Sequence, residues 1–342
     1  MKKIIIPFLF VAAVLAVSGC AKQAVSGPND ANKRYFDAWV KVNHPEARQT
    51  ELGVYIIEDE PGTGAEVKEG GFVLMDYIAT NLEGNIASST YKETAEQLGN
   101  YSETAYYGPK FQTTTKGTIH AGLLDAMEGM KVGGHRKVAI PTWLMTYSTH
   151  KTEKEFLAEE SSTSSAIYDI TVKDFTENII DWQIEKIGSY LEENSDLFNG
   201  MTTADSLKNH KGFYYKSIVP AADTTSFPSD TTIYINYTGR LIDGTVFDTT
   251  DERVAKDNGL WSASRTYAPV SVTWGEDSSD INMGGSSIIT GFSLTLWQMR
   301  AFETGIGIFT SAYGYGYSGS GESIPGFAPL IFEIEIVKKP ED

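Results

Sequence analysis

The chain reads as an α+β protein made of two tandem halves, each a curled antiparallel sheet around one short helix. Three observations predict this. A strand candidate followed by an acidic-Gly turn occurs at residues 72–80 with Leu82-Glu83-Gly84, and again at residues 232–239 with Leu241-Ile242-Asp243-Gly244. A short apolar helix candidate follows in each half, at residues 122–130 and 291–299. Each half then closes on an alternating strand, carrying Tyr168, Ile170 and Val172 in the first and Phe332, Ile334 and Ile336 in the second.

Taken in chain order, each element has a physical reason. Lead-in strands are expected at residues 53–57 and 212–219, apolar runs that open on glycine. In the first main strand Val73, Met75 and Tyr77 share one face by the two-residue period of a strand, as do Ile233, Ile235 and Tyr237 in the second. The acidic-Gly pairs suit hairpin turns. Phe292, Leu296 and Met299 recur at helical spacing, so one side of that helix is apolar. In the closing strands Asp169, Thr171 and Lys173, and later Glu333 and Glu335, occupy alternate positions, which predicts one buried and one wet face. Between the halves, Ile179, Ile180, Ile184, Ile187 and Leu191 before Gly200 predict a connecting helix. The expected division is a leader at 1–19, a tether at 20–45, a first domain at 46–176, a linker helix at 177–201 and a second domain at 202–340.

The N-terminus has its own pattern. Met1-Lys2-Lys3 precedes an apolar run from Ile4 to Val17, too short to span a bilayer well. It ends in Val17-Ser18-Gly19-Cys20, which resembles a bacterial lipobox, and that resemblance implies lipidation at Cys20 and a lipid anchor in the envelope of a Gram-negative bacterium. Ala21 carries no inner-membrane retention signal of that type, which favours the outer membrane. Cys20 is the only cysteine among 342 residues, so a disulfide framework and a Cys-based metal site are excluded. Formal charge is −17, and loss of residues 1–19 removes two lysines and no acids, making it −19. Such acidity excludes nucleic acid and anionic lipid surfaces as partners, leaving the lipid on Cys20 as the expected membrane contact.

The second half carries a further ordered set: Tyr237, the pair Phe247-Asp248, Ile288-Ile289 before the helix, Phe292 at its start, Tyr313 in a Gly/Tyr-rich segment, Ile324 before Pro325, and Phe332 in the closing strand. This order resembles the FKBP-type peptidyl-prolyl cis-trans isomerases. The resemblance implies two tandem FKBP-like domains joined by a helical linker, with activity in the second. It implies catalytic roles for Tyr313, Asp248 and Phe247, and substrate-binding roles for Tyr237, Ile288, Ile289, Phe292, Ile324 and Phe332. Tyr313 would donate to the substrate carbonyl, and Asp248 would supply a polar edge. The expected partners are proline-containing polypeptides and the family's macrocyclic inhibitors, with no metal and no cofactor.

Departures from the family pattern are specific. Phe292 stands where a tryptophan is usual and loses the indole donor. The segment 251–268 is long, and either Arg253 or Arg265 is a candidate for the family's arginine at that rim. The first half keeps Tyr77 and Tyr147, has Tyr168 in place of the closing phenylalanine, and has Ile86-Ala87-Ser88-Ser89 where the Phe-Asp pair belongs. It reads as a degenerate fold-mate that binds chains or spaces the second domain from the membrane. The five histidines are scattered without HExxH or HxH spacing, and no Gly-x-Ser-x-Gly elbow occurs. The alternative reading is a non-catalytic, chaperone-like or scaffold lipoprotein using both copies to bind polypeptides.

Overall fold

The computed structural model describes residues 27–160 and 163–341. The expected leader and Cys20 lie outside the described residues. No helix among the described residues is long and apolar enough to cross a membrane.

The expected tether is helical from Asp30 onward. Helix α1 (Asp30–Asn43) buries Phe36 and Val40, four residues apart and so on one stripe of the helix. The Phe36 ring meets Tyr55 and Trp143 edge-on, each at 5.8 Å between centroids. Residues 30–43 therefore belong to the first domain's core and are no spacer. Their many polar residues, which suggest a tether, form the solvent side of an amphipathic helix.

The first sheet contains β1 (Tyr55–Glu60), β2 (Phe72–Thr80), β3 (Ile86–Ser89), β4 (Lys110–Thr113), β5 (His135–Ile140) and β6 (Ala166–Thr176). Its order runs from the short strand Arg48–Gln49 through β1, β5, β6 and β2 to β3, with β4 also paired to β2. Helix α2 (Ala121–Met127) lies on it and buries Leu123, Ala126 and Met127. Val73, Met75, Ile170 and Val172, the inward set expected from alternation, are in the same core.

Helix α3 (Ile179–Glu193) joins the halves, started by Asn178, whose side chain accepts from the amides of Ile180 and Asp181. The second sheet comprises β7 (Phe213–Val219), β8 (Thr232–Leu241), β9 (Val246–Thr249), β10 (Val270–Thr273), β11 (Thr304–Phe309) and β12 (Leu330–Val337). Two short strands, Ser286–Ser287 and Asn282–Met283, lead into β10, followed by β8, β12, β11 and β7, with β9 on β8. Helix α4 (Thr290–Gln298) covers one face, and six of its residues, from Gly291 to Leu296, are buried.

Register makes the internal repeat structural. Tyr77 pairs with Ile170 and Ala79 with Tyr168. Tyr237 pairs with Ile334 and Gly239 with Phe332. Both β3 and β9 carry a bulge after their first residue, at Ala87 and at Phe247.

One expectation needs correcting. The outer face of the second sheet is not uniformly wet, because Ile187, Leu191 and Phe198 pack against Tyr214, Ile306, Ile308 and Ile331. In β11, Gly305 and Gly307 alternate with Ile306 and Ile308. A side chain at Gly307 would run into Thr295 of α4. Gly307 therefore lets the inner helix approach closely, Gly305 leaves room for the Tyr215 ring, and the isoleucines turn outward to receive α3. Gln183 of α3, fully buried, ties this layer to the turn after β11. Its Nε2 donates to Ser311 Oγ at 3.0 Å, and the Ser311 amide donates to its Oε1 at 2.7 Å.

Candidate functional site

Strands β8 and β12 set the floor. Two-residue alternation places Tyr237 and Gly239 on the same face of β8 as Phe332 and Ile334 of β12. Phe332 is 4% exposed and lies at the centre of an aromatic cluster. Its ring centroid is 4.9 Å from Phe292, 5.5 Å from Phe247, 5.9 Å from Phe309 and 6.2 Å from Tyr237. Tyr237 in turn meets Phe292 edge-on at 5.5 Å. Phe292 at the start of α4 is as buried as Phe332, whereas Tyr237 and Phe247 are partly exposed. The result is an apolar cup with a dry floor and accessible walls.

Two backbone features allow this packing. The bulge in β9 inserts Phe247 between paired residues and re-aims its side chain toward the cup. Gly239 leaves room for it, since a Cβ there would sit 2.6 Å from the Phe247 ring and 2.9 Å from Phe332.

A polar edge borders the cup. The Tyr237 hydroxyl donates to Asp248 Oδ2 at 2.6 Å. Arg265 Nη1 holds Asp248 Oδ1, also at 2.6 Å. Burial, and then the negative charge of Asp248, push the Tyr237 hydroxyl well above the ordinary tyrosine range, so it stays a donor. For Arg265, burial works against the charge, but the Asp248 carboxylate outweighs it and raises the pKa. The choice left open between two arginines is thus resolved: Arg265 pairs with Asp248, while Arg253 lines a groove with Asn236, Glu333 and Glu335. The rim loop bearing Arg265 is held by Tyr267, whose hydroxyl donates to the Leu260 carbonyl and accepts from the Ser262 amide. Nothing in the amino-acid pattern distinguishes the two arginines, since pairing depends on where this loop folds back.

The flap runs from Ser311 to Pro329. Ile324 is buried against the second domain's core, and Ile288 and Ile289 at the entrance to α4 pack around it, partly exposed. Tyr313 ends a short 3₁₀ turn and is partly buried, packed against the core that holds Phe332 and Ile324. Its ring rests against Phe213 at 6.2 Å and His210 at 6.0 Å. Tyr315, two residues on, is the more exposed of the two, at 36%. Burial and then the Asp248 charge raise its pKa. In a run where tyrosine alternates with glycine, sequence spacing cannot say which ring turns inward. The 3₁₀ turn decides it.

The first domain repeats the frame without the site. Tyr77 and Tyr168 approach at 5.9 Å. Ala87 sits at the bulge, Ser88 pairs with Ala79 where Asp248 pairs with Gly239, and no aromatic wall forms. The rim loops are built alike, with the Ser102 amide donating to Tyr107 as the Ser262 amide does to Tyr267. Ala105 then stands at the place of Arg265, so both members of the ion pair are missing together. Tyr147 is not the counterpart of Tyr313. The matching 3₁₀ turn is Thr142–Leu144, which ends on buried Leu144, while Tyr147 is 57% exposed and packs on His120 at 4.6 Å.

The family described as FKBP-type peptidyl-prolyl cis-trans isomerase matches residues 224–337. FK506-binding protein 1A of Aspergillus fumigatus is 30% identical over 105 residues, which are 31% of this chain and 74% of that protein. The peptidyl-prolyl cis-trans isomerase FKBP9 of Rattus norvegicus is 22% identical over 271 residues, 79% of this chain. The chain spans about a third of that relative, 35% of its length. Among solved structures, the three FKBP domains of wheat FKBP73 align over 87% of this chain and 100% of that one, at 15% identity and a TM-score of 0.29.

Proposed function

The chain belongs to the FKBP-type peptidyl-prolyl cis-trans isomerase family, and we propose that its second domain isomerises X-Pro bonds in folding or exported polypeptides. The observation that carries this is the aromatic cup around Phe332, bordered by the Tyr237–Asp248–Arg265 contacts.

An X-Pro bond turns slowly because it must lose partial double-bond character, with a barrier of roughly 18–20 kcal/mol. A catalyst has to bind the twisted amide better than either planar form. Phe332 and Phe292 offer a dry floor for the proline ring, and Phe247 and Tyr237 offer walls. Twisting reduces charge separation in the amide, so a water-poor cup favours it. Tyr313, partly buried at the end of the 3₁₀ turn, supplies the hydroxyl donor for the substrate carbonyl, and the more exposed Tyr315 is the second candidate. Asp248, held by Tyr237 and Arg265, fixes the polar edge without accepting a proton in the reaction. Ile288, Ile289 and Ile324 flank the peptide chain.

The first domain lacks the counterparts of Phe247, Asp248 and Arg265, which favours a binding or structural role for it. Envelope residence through a lipid on Cys20, which accounts for the N-terminal pattern, and sensitivity to macrocyclic inhibitors belong to the same proposal. The test is cis-trans isomerisation of a proline peptide by the full chain, followed without a coupling protease. Acceleration by the chain, lost in Phe332→Ala with the fold retained by circular dichroism, is the expected result. A folded chain with no acceleration would move the assignment to a non-catalytic polypeptide clamp.

A further inference from the structure

The second domain's flap is poorly equipped to hold itself. It contains Gly314, Gly316, Gly319, Gly321 and Gly326, three of them at positive φ (Gly316, Gly319 and Gly321), and such segments are costly to order. Its own tip is closed by the Ser320–Ile324 bridge, and the Phe327 amide reaches back to the Gly316 carbonyl at 2.8 Å. Phe327 itself sits at φ +64°, where a bulky residue needs outside support.

That support comes from the first domain. Phe327 meets Phe72 of β2 at 5.2 Å and Phe111 of β4 at 6.1 Å, and Phe111 abuts Trp182 of α3 at 4.8 Å. The Tyr106 amide donates to the Glu322 carbonyl of the flap at 2.8 Å. The Tyr106 ring packs against the second domain's core and lines clefts with Ile324 on one side and Leu241 on the other. Its hydroxyl donates to the Pro109 carbonyl at 3.2 Å, and burial, with Asp243 and Asp76 nearby, pushes its pKa up to about 12. The same loop touches the opposite rim, because Glu103 lies against Gly259.

The contrast between the copies is informative. Tyr106 precedes Tyr107 as Thr266 precedes Tyr267 in the equivalent rim loop. The fold by itself is satisfied with threonine there. A large aromatic stands only where a neighbouring domain receives it.

We propose that the first domain is a brace for the second domain's flap, with Tyr106 as its positioning residue. This deepens the isomerase reading and rests on it. The brace keeps Ile324 over the cup, so substrate binds to a flap that is already ordered. It also gives the degenerate copy a task that needs no active cup of its own.

The experiment compares the full chain with Tyr106→Thr, which installs the residue that the second copy uses, and with Tyr106→Phe. Hydrogen exchange of flap amides 318–327 and steady-state isomerisation are both read. In Tyr106→Thr, flap exchange should quicken about tenfold as local opening becomes easier. KM should rise about fivefold with kcat within about twofold, as removal of ground-state and transition-state binding alike requires. Tyr106→Phe should restore both readings. Unchanged flap exchange in Tyr106→Thr would overturn the brace, and faster exchange with unchanged KM would overturn its positioning role. A wild-type chain without isomerase activity would sink the isomerase reading separately, and flap exchange would then decide the brace alone.

Discussion

The Tyr237 hydroxyl and the Asp248 carboxylate lie 2.6 Å apart, and the other oxygen of the same carboxylate is held at 2.6 Å by Arg265. Three chain segments, β8, β9 and the rim loop, therefore converge on a single side chain. Tyr237→Phe keeps the ring contacts and removes one hydrogen bond to a charged group, so the second domain should lose about 1.5–3 kcal/mol. Arg265→Ala should cost less, about 0.2–1 kcal/mol, because both partners of that pair are partly solvated. Urea unfolding of the full chain, fitted for two domains, separates the two values.

Gly239→Ala tests the close approach of Phe247 and Phe332. The added methyl meets both rings, and overpacking of this kind costs about 1–3 kcal/mol. Combining it with Phe247→Ala should recover part of that loss, because Ala79 in the first domain coexists with Ala87. Additive destabilisation in the double variant would mean that the glycine serves another purpose.

Tyr315→Phe and Tyr313→Phe separate the flap tyrosines. If Tyr313 donates to the substrate carbonyl, loss of its hydroxyl should lower kcat/KM about tenfold, the scale of one hydrogen bond made at the transition state. Tyr315→Phe should leave kcat/KM within about twofold, since that ring is exposed. Progress curves for a proline peptide decide between them, and the reverse ranking would move the role to Tyr315.

High pH should destabilise the second domain through Tyr237. Its folded pKa is raised above the unfolded value of 10.0, so between those values the folded state retains a proton that the unfolded state has lost. The contribution is fully present below pH 10.0 and is lost as pH rises through the folded pKa. Denaturant midpoints measured from pH 9 upward should fall, and Tyr237→Phe should flatten that fall. Ultraviolet titration gives a second reading, with the variant losing amplitude from the late part of the phenolate curve.

Much of the fold was legible because strand periodicity and turn chemistry are local. Val73, Met75 and Tyr77 repeat as Ile233, Ile235 and Tyr237, and the paired registers Ala79–Tyr168 and Gly239–Phe332 follow from that repeat. The helix at 30–43 was missed because Phe36 and Val40 are a thin apolar stripe in a polar segment. The alternation of Glu333 and Glu335 predicts a wet outer face, whereas α3, which packs from a distant part of the chain, covers Ile306, Ile308 and Ile331 there.

The sequence by itself determined the two-copy architecture, the aromatic set of the cup and the loss of Phe247 and Asp248 equivalents from the first copy. These depend on residue type and short-range spacing. Only the tertiary structure chose Arg265 over Arg253 and set Tyr106 of one domain against the flap of the other. Each of those outcomes depends on where a loop folds back in space. Loop direction is decided by long-range packing and hydrogen bonds, which a local pattern does not encode.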